Sequence, residues 1–115
     1  NALAADPNVD AVFTLGPPAA LPALQAVRAS ERADDVALAT FDLSPDVLDA
    51  VARGEIAFAV DQQQYLQGYL PIVFLTQYLE TGTVPGGGAI IRTGPGFVTQ
   101  DDAESVRELS AKGVR

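Results

Sequence analysis

The chain has 115 residues, of which 48% are hydrophobic and 19% are charged, and its formal net charge is −8. This length and composition fit one packed domain rather than a disordered chain, and so acidic a surface repels nucleic acid and anionic membranes. The sequence has no Cys and no His, which excludes thiol nucleophiles, disulfide bonds, imidazole acid–base chemistry and Cys or His metal ligands. We therefore expect neither a metal nor a cofactor.

The first half of the chain alternates apolar runs with amphipathic stretches. Residues 1–5 lack the basic start and long apolar run of a signal peptide and are typical of the end of a helix, so we expect either a cytoplasmic chain or one whose beginning was removed. Three apolar runs rich in β-branched and aromatic residues predict buried strands at residues 9–15, 36–41 and 55–60. Helices are predicted at residues 19–30 and 45–53, the second with Ser44 as its N-cap and Pro45 in its first position. This alternation indicates βαβ units, and we expect an α/β fold with an open parallel sheet and flanking helices.

The second half begins with a predicted helix at residues 65–80 that is apolar on nearly every side. Such a helix needs cover on more than one side. Its length of about 16 residues is short for a membrane span, and its Gln, Pro and Glu residues favour a buried helix of a soluble protein. Beyond it the sequence predicts a Pro- and Gly-rich turn at 82–88, a short strand at 89–92, a glycine-rich loop at 93–97, and a helix from Asp101 to about Lys112.

Polar residues and one glycine follow the three predicted strands at the point where each strand ends. The segments are Leu15-Gly16-Pro17, Phe41-Asp42-Leu43 and Asp61-Gln62-Gln63. Because ligands bind in the crevice outside the carboxyl ends of parallel strands, we expect Gly16, Asp42, Asp61, Gln62 and Gln63 to lie together at a binding site. Carboxylates accept hydrogen bonds and amides both donate and accept them, which suits the hydroxyls of a neutral polyhydroxylated ligand.

Other interpretations of these residues stay open. An Asp shortly before Ser-Pro also helps to end a strand and begin a helix, which would give Asp42 a purely structural role. A pair of carboxylates would suit glycoside hydrolysis, but that chemistry needs one acid with a raised pKa opposite the other in a closed cleft, which nothing in the sequence indicates. The glycine clusters at 86–88 and 94–96 lack the Lys and Ser or Thr of a phosphate-binding loop and are predicted to be ordinary loops.

A longer succession of motifs resembles a known family. The strand leading to Gly16, the segment Thr40-Phe41-Asp42-Leu43-Ser44-Pro45, the run at 54–63 that ends in Asp61-Gln62-Gln63, and the long helix after it resemble the C-terminal portion of type I periplasmic sugar-binding proteins. These are the substrate-binding components of bacterial ABC transporters, and they are similar to the ribose-binding protein and to the ligand domains of LacI-type repressors. The resemblance covers about residues 8–100.

The resemblance implies roles for individual residues. Asp42 falls where the family has an aspartate that accepts hydrogen bonds from sugar hydroxyls. Gln62 falls at the family's hinge glutamine, which also touches the sugar, and Asp61 and Gln63 flank it. Gly16 stands where the ribose-binding type has an asparagine ligand, so the resemblance implies a sugar or polyol other than ribose.

The resemblance also implies partners. The family folds as two lobes with the ligand between them, so residues 1–115 would form the C-terminal part, with the helix at 65–81 packed on a missing N-terminal lobe or on a second copy. The intact protein would be periplasmic or otherwise extracytoplasmic, would bind its sugar without catalysis, and would present it to a membrane permease. The alternative is the ligand-sensing domain of a LacI-type transcriptional regulator, which shares the fold. A flavodoxin-like receiver module is a third interpretation, but the acidic pocket and late lysine of a receiver are missing from the sequence.

Overall fold

The computed structural model describes residues 2–30 and 32–115. The helices are α1 (Ala2–Ala5), α2 (Pro17–Arg28), α3 (Pro45–Ala52), α4 (Gln64–Thr81) and α5 (Ala103–Ala111). The strands are β1 (Ala11–Thr14), β2 (Ala37–Phe41), β3 (Phe58–Asp61) and β4 (Gly96–Val98), and a short 3-10 turn, Pro85–Gly88, lies between α4 and β4. The predicted order of strands and helices up to α4 is therefore confirmed. Asn1, the first residue of the expected helical start, lies outside the described residues.

The four strands form one sheet in the order β1-β2-β3-β4. Strands β1, β2 and β3 are parallel, with Thr14 opposite Thr40 and Phe41 opposite Val60, as βαβ units require. Strand β4 is antiparallel to β3, with Gly96 opposite Asp61, so the sheet is mixed rather than wholly parallel.

Local sequence signals set the boundaries of the helices that flank the sheet. Helix α3 begins where predicted, because the side chain of Ser44 accepts a hydrogen bond from the amide of Val47 at 3.2 Å and Pro45 takes the first position. Helix α2 begins at Pro17, two residues earlier than predicted, since prolines at the first positions of a helix lack only amides that have no helical partner. Strand β3 starts later than predicted, because the amides of Glu55 and Ile56 turn back to the carbonyl oxygen of Ala50.

Helices α2, α3 and α5 pack on one face of the sheet. Strands β2, β3 and β4 contribute Leu38, Ala59 and Val98 to this core. The buried helix residues in the same cluster are Ala20, Leu24, Val47, Leu48, Ala50, Val51, Ala103 and Val106. A smaller cluster of Leu3, Val27 and Val36 attaches α1 beside α2. This core cluster therefore lies on the side of the sheet that the helices cover.

The opposite face of the sheet carries four phenylalanines, one from each strand. Side chains alternate between the two faces along a strand, which places Phe13, Phe41, Phe58 and Phe97 opposite the helices. Their ring centroids are 5.3 Å apart for Phe13 and Phe41, 6.3 Å for Phe13 and Phe58, and 5.6 Å for Phe58 and Phe97. Phe13 is 49% exposed and Phe97 is 61% exposed, so the described helices leave this phenylalanine face open.

Helix α4 projects from the sheet and gives the molecule its elongated shape, with principal extents of 60 × 28 × 20 Å. Gly82, with φ 70°, ends the helix, and its amide donates to the carbonyl oxygen of Tyr78 at 2.8 Å. None of the residues 64–81, all of which the structure describes, is buried. The predicted apolar helix is confirmed, but in this chain its apolar sides lie open to solvent.

The segment after α4 runs back along the helix, and we call residues 64–93 the arm. Val84 and Ile91 line a cavity of about 380 Å³ together with Leu70 and Phe74 of α4. The predicted strand at 89–92 is wrong, because this stretch lies along α4, away from the sheet strands with which it would need to pair. The predicted loop at 93–97 is wrong in its last two residues, which belong to β4. Across residues 2–30 and 32–115, no helix combines the length and the apolarity needed to cross a membrane.

Candidate functional site

Three parallel strands bring the predicted polar residues to one edge of the sheet. Strand β1 ends two residues before Gly16, β2 ends directly before Asp42, and β3 ends directly before Gln62. Since all three strands run in the same direction, their carboxyl ends lie side by side. We call the residues Gly16, Asp42 and Gln62 the binding edge.

Asp42 and Gln62 contact each other across the ends of β2 and β3. The side-chain amide nitrogen Nε2 of Gln62 donates to Oδ1 of Asp42 at 2.7 Å. Asp42 has a left-handed backbone, with φ 63°, and its amide donates to the carbonyl oxygen of Val60 at 2.9 Å. Asp tolerates this conformation better than most residues, so the turn aims its carboxylate at Gln62 without a glycine.

The pair keeps hydrogen-bonding capacity for a ligand. In the part of the chain that the structure describes, no group donates to Oδ2 of Asp42 or to Oε1 of Gln62. A hydroxyl group that approaches the pair therefore meets two free acceptors and the second amide hydrogen of Gln62. This set satisfies the donor and the acceptor function of a single hydroxyl group at once.

The backbone of Gln62 is held from both sides. Its carbonyl oxygen accepts a hydrogen bond from Nε2 of Gln67 at 3.0 Å and another from the hydroxyl of Thr93 at 3.0 Å. Gly94 passes so close that a Cβ atom there would lie 2.9 Å from the carbonyl oxygen of Asp61 and 3.2 Å from the Cα of Gln62. The two segments that join the sheet to the arm therefore run directly against each other at Gln62.

Asp61 and Gln63 flank Gln62 but face different surroundings. Asp61 is 0% exposed, and its Oδ1 accepts the amide of Gln63 at 2.8 Å while its Oδ2 accepts Nε of Arg115 at 2.8 Å. Without accessible surface, the Asp61 carboxylate does not reach a ligand in this conformation. Gln63 is partly exposed, and its left-handed backbone, with φ 56°, forms the turn into α4.

Gly16 contributes backbone and space rather than a side chain. Its carbonyl oxygen accepts the amides of Ala19 and Ala20 at 3.0 Å and so starts α2. Pro17 and Pro18 supply no amide donors, which leaves the start of α2 poorly equipped for a phosphate. A Cβ atom on Gly16 would meet only Cδ of Pro18, at 3.7 Å, so the structure has room for a side chain at this position.

An apolar concavity adjoins the binding edge, and the sequence analysis missed it. It has a volume of about 570 Å³ and is lined by Phe13, Phe41, Phe58, Val60, Gln62, Gln67, Gly94, Pro95 and Phe97. The sequence does contain a signal for this concavity. Side chains alternate between the two faces of a strand, and the phenylalanines occupy the positions that alternate with the core residues. Gln62 thus lies between a polar partner, Asp42, and an apolar hollow.

A cluster of charged side chains lies away from the binding edge. Two arginines, Arg28 and then Arg53, hold the pKa of Glu55 below its ordinary value of about 4.5, and this cluster lies at the opposite end of the strands. Within residues 2–30 and 32–115, no three acidic side chains form a group that could hold a metal ion.

The sequence of residues 1–83 matches the family described as periplasmic binding protein domain. The chain belongs to this family. The predicted resemblance to this class is therefore confirmed.

Relatives of this periplasmic binding protein domain include transport proteins for carbohydrates. A xylose/arabinose-binding protein of Sulfolobus acidocaldarius is 33% identical over 69 residues, which cover 60% of this chain and 17% of that protein. A carbohydrate transporter of Acidothermus cellulolyticus, solved in complex with myo-inositol, is 36% identical with a TM-score of 0.89, covering 99% of this chain and 39% of that one. An arabinose-binding protein of Geobacillus stearothermophilus is 27% identical with a TM-score of 0.75, covering 90% of this chain and 38% of that one.

These relatives bear on the two functional alternatives. All three are named for carbohydrate binding or transport, and they give the interpretation as a LacI-type regulator no support. The domain also spans well under half the length of each of these relatives.

Proposed function

We propose that this chain forms one wall of a cleft that binds a sugar or polyol for uptake by an ABC transporter. The observation that carries the proposal is the pair of Asp42 and Gln62, whose side chains meet at 2.7 Å with acceptors to spare at the carboxyl ends of two parallel strands. A neutral ligand with several hydroxyls matches this pair, whereas an anion would be repelled by Asp42 and by the acidic chain as a whole.

The opposite wall of the cleft belongs to further polypeptide in this proposal. Helix α4 exposes large apolar side chains along its length, among them Ile72 at 65%, Leu75 at 59% and Leu79 at 83%. A contiguous apolar surface of this kind marks an association site. The N-terminal lobe of a longer protein, or a second copy of the chain, would cover the arm and face the binding edge across the ligand.

In this proposal the protein binds its ligand and the two walls of the cleft then close around it. The segments that join the sheet to the arm meet at Gln62, so a lobe attached to α4 would move about this point. A ligand held between Asp42 and the opposite lobe stabilises the closed arrangement because it contacts both walls only there. No chemical step is assigned to the site, and the closed protein would deliver its ligand to a membrane permease outside the cytoplasm.

A titration of the ¹⁵N-labelled chain by NMR tests the binding edge directly, because it detects the millimolar affinity expected of half a cleft. Myo-inositol, arabinose and xylose are the first probes, chosen from the ligands named for the relatives. We expect the resonances of Asp42 and Gln62 to shift with one of these compounds and those of the opposite sheet edge to stay in place. If no member of a wider panel of pentoses, hexoses and inositols shifts them, the proposed ligand class is wrong for this chain.

The variant Asp42→Ala identifies the contact. Loss of a hydrogen bond to a charged group costs about 1.5–3 kcal/mol, so we expect the affinity for the responding compound to fall by roughly tenfold to 150-fold. Asp34→Ala is the matched control, because Asp34 is an exposed aspartate in the turn before β2, at the other end of the sheet. Equal affinities for Asp42→Ala and the wild type would remove Asp42 from the site.

A further inference from the structure

Asp61 is a buried carboxylate whose partners are all provided by the chain itself. It ends β3, has no exposed surface, and uses one oxygen for the amide of Gln63 and the other for Nε of Arg115, both at 2.8 Å. A carboxylate without water needs such partners, because an unpaired buried charge is strongly unfavourable. Arg115 lies 54 positions further along the chain, beyond α5, and is itself 41% exposed at its side chain.

The two partners of Asp61 fix the turn in which Gln62 lies. The bond from the amide of Gln63 to the carboxylate two residues earlier closes a turn around Gln62. Gln63 takes a left-handed backbone, with φ 56° and ψ 60°, which a residue with a side chain adopts only at a cost. The carboxylate compensates that cost and sets the direction in which the side chain of Gln62 leaves the backbone.

Arg115 orients that carboxylate. Its Nε holds Oδ2, which leaves Oδ1 pointing at the turn. A second arginine of the same region, Arg107 on α5, pairs instead with Asp49 on α3 at 2.9 Å and has no contact with the turn. Among the described residues, Arg107 and Arg115 each pair with an aspartate, and of these two pairs only that of Arg115 reaches the turn at Gln62.

We infer that Asp61 and Arg115 are positioning residues that lock the turn at Gln62–Gln63 so that the Gln62 side chain faces Asp42 and a ligand hydroxyl. This inference rests on the proposed function of the binding edge and replaces direct ligand contact by Asp61, which was expected from the sequence. Asp61 and Arg115 influence ligand binding through Gln62 and do not contact the ligand themselves.

The alignment of Gln62 is measurable without any ligand. In the wild-type chain we expect nuclear Overhauser effects between the side-chain amide of Gln62 and the β-protons of Asp42, because the two groups are hydrogen-bonded at 2.7 Å. Asp61→Leu, which has a similar shape but no acceptor, should abolish them. Asp61→Asn should retain most of the signal, because it keeps an oxygen for the amide of Gln63. Arg115→Gln should weaken it, and Arg107→Gln, the matched control, should leave it unchanged.

Ligand affinity provides the second measurement, with myo-inositol or whichever compound responds in the wild-type titration. Asp61→Leu should weaken binding by about tenfold, the loss expected when one hydrogen-bonding side chain is misplaced, and Asp61→Asn should restore most of it. In a Gln62→Ala background the substitution Asp61→Leu should have no further effect, because its influence passes through Gln62. An equal loss in both backgrounds would overturn the inference.

The two readouts separate this inference from the proposed function. If the wild-type chain binds no compound of the panel, the proposed function fails for this chain, and the Gln62 to Asp42 signal alone decides about Asp61. If Asp61→Leu does not fold, the comparison of Arg115→Gln with Arg107→Gln decides in its place. A Gln62 to Asp42 signal that survives in folded Asp61→Leu and in folded Arg115→Gln shows that the turn holds without these side chains, and the inference is then wrong.

Discussion

Replacing an exposed leucine of the arm should leave the fold almost as stable as before, although the same residue type in the core is indispensable. Leu79 of α4 is 83% exposed, whereas Leu48 of α3 is 1% exposed. Full burial of a leucine side chain contributes about 1.5–3 kcal/mol, so the roughly one sixth of Leu79 that is covered contributes at most about 0.5 kcal/mol. We expect Leu79→Gln to change the free energy of unfolding by no more than this, since Gln and Leu have similar helix propensities.

The comparison variant Leu48→Ala should cost about 2–5 kcal/mol, because it leaves a cavity in the core between α3 and the sheet. Urea denaturation followed by circular dichroism, at a concentration where the chain is monomeric, measures both changes. If Leu79→Gln proves as destabilising as Leu48→Ala under these conditions, α4 packs within the single chain and the reasoning from its exposure is wrong.

The same variant also tests association. A chain that covers α4 with a second copy should form dimers as concentration rises, and Leu79→Gln should weaken them by about tenfold or more, the equivalent of one buried leucine. Size-exclusion chromatography with light scattering measures this. A wild-type monomer at all concentrations, with no other polypeptide present, would contradict the second copy and leave a separate lobe as the partner of the arm.

Two further predictions concern single residues away from the arm. Glu55→Gln should reduce stability at neutral pH by less than about 1 kcal/mol for each of its ion pairs with Arg28 and Arg53. Because the pKa of Glu55 is lowered in the folded state, the wild-type advantage is present above about pH 4.5 and disappears as the pH falls through the folded value. Urea titrations of both proteins from pH 7 downwards measure this, and a difference that does not shrink in acid would refute it. Gly16→Ala should be neutral or stabilise by up to about 1 kcal/mol, whereas Gly94→Ala should destabilise, since a Cβ atom has room at Gly16 but would lie 2.9 Å from the Asp61 carbonyl oxygen at Gly94. Thermal unfolding measures the melting temperature of both variants. Equal shifts in melting temperature would contradict this prediction and show that the backbone at Gly94 and Asp61 can move to admit the Cβ atom.

The sequence was sufficient for the part of the fold that depends on regular alternation. Apolar runs with helix signals between them predicted β1, β2 and β3 in parallel, and this arrangement alone places Gly16, Asp42 and Gln62 at one edge. Ser44 and Pro45 marked the start of α3 because capping is a local property of the chain. Periodicity and capping involve neighbours in sequence, which explains why they can be read without coordinates.

The errors arose where pairing depends on distant residues. Strand β4 is only three residues long, and it forms by pairing with β3, where Phe97 lies opposite Val60. The apolar residues 89–92 were the better strand by composition, yet they follow the arm and find no strand beside them. Asp61 was predicted as a ligand residue from its place at the end of β3 beside Gln62, and the sequence near β3 gives no sign of its partner Arg115, which is 54 positions away.

The apolar side of the arm and the phenylalanine face meet at Gln62 of the binding edge. Both surfaces therefore lie next to the point about which the proposed closure takes place. Gln67 of the arm and Phe97 of the phenylalanine face line the same hollow beside Gln62. Gln67 also donates to the carbonyl oxygen of Gln62 at 3.0 Å, and Gln62 pairs with Asp42. Movement of a lobe bound to α4 would therefore move Gln62. Thr93 of the arm donates to the same oxygen at 3.0 Å, so polypeptide that covers the arm would act on the proposed ligand site through two hydrogen bonds, and Gln67→Ala combined with Thr93→Ala should uncouple the arm from Gln62 while leaving the Asp42 pair intact.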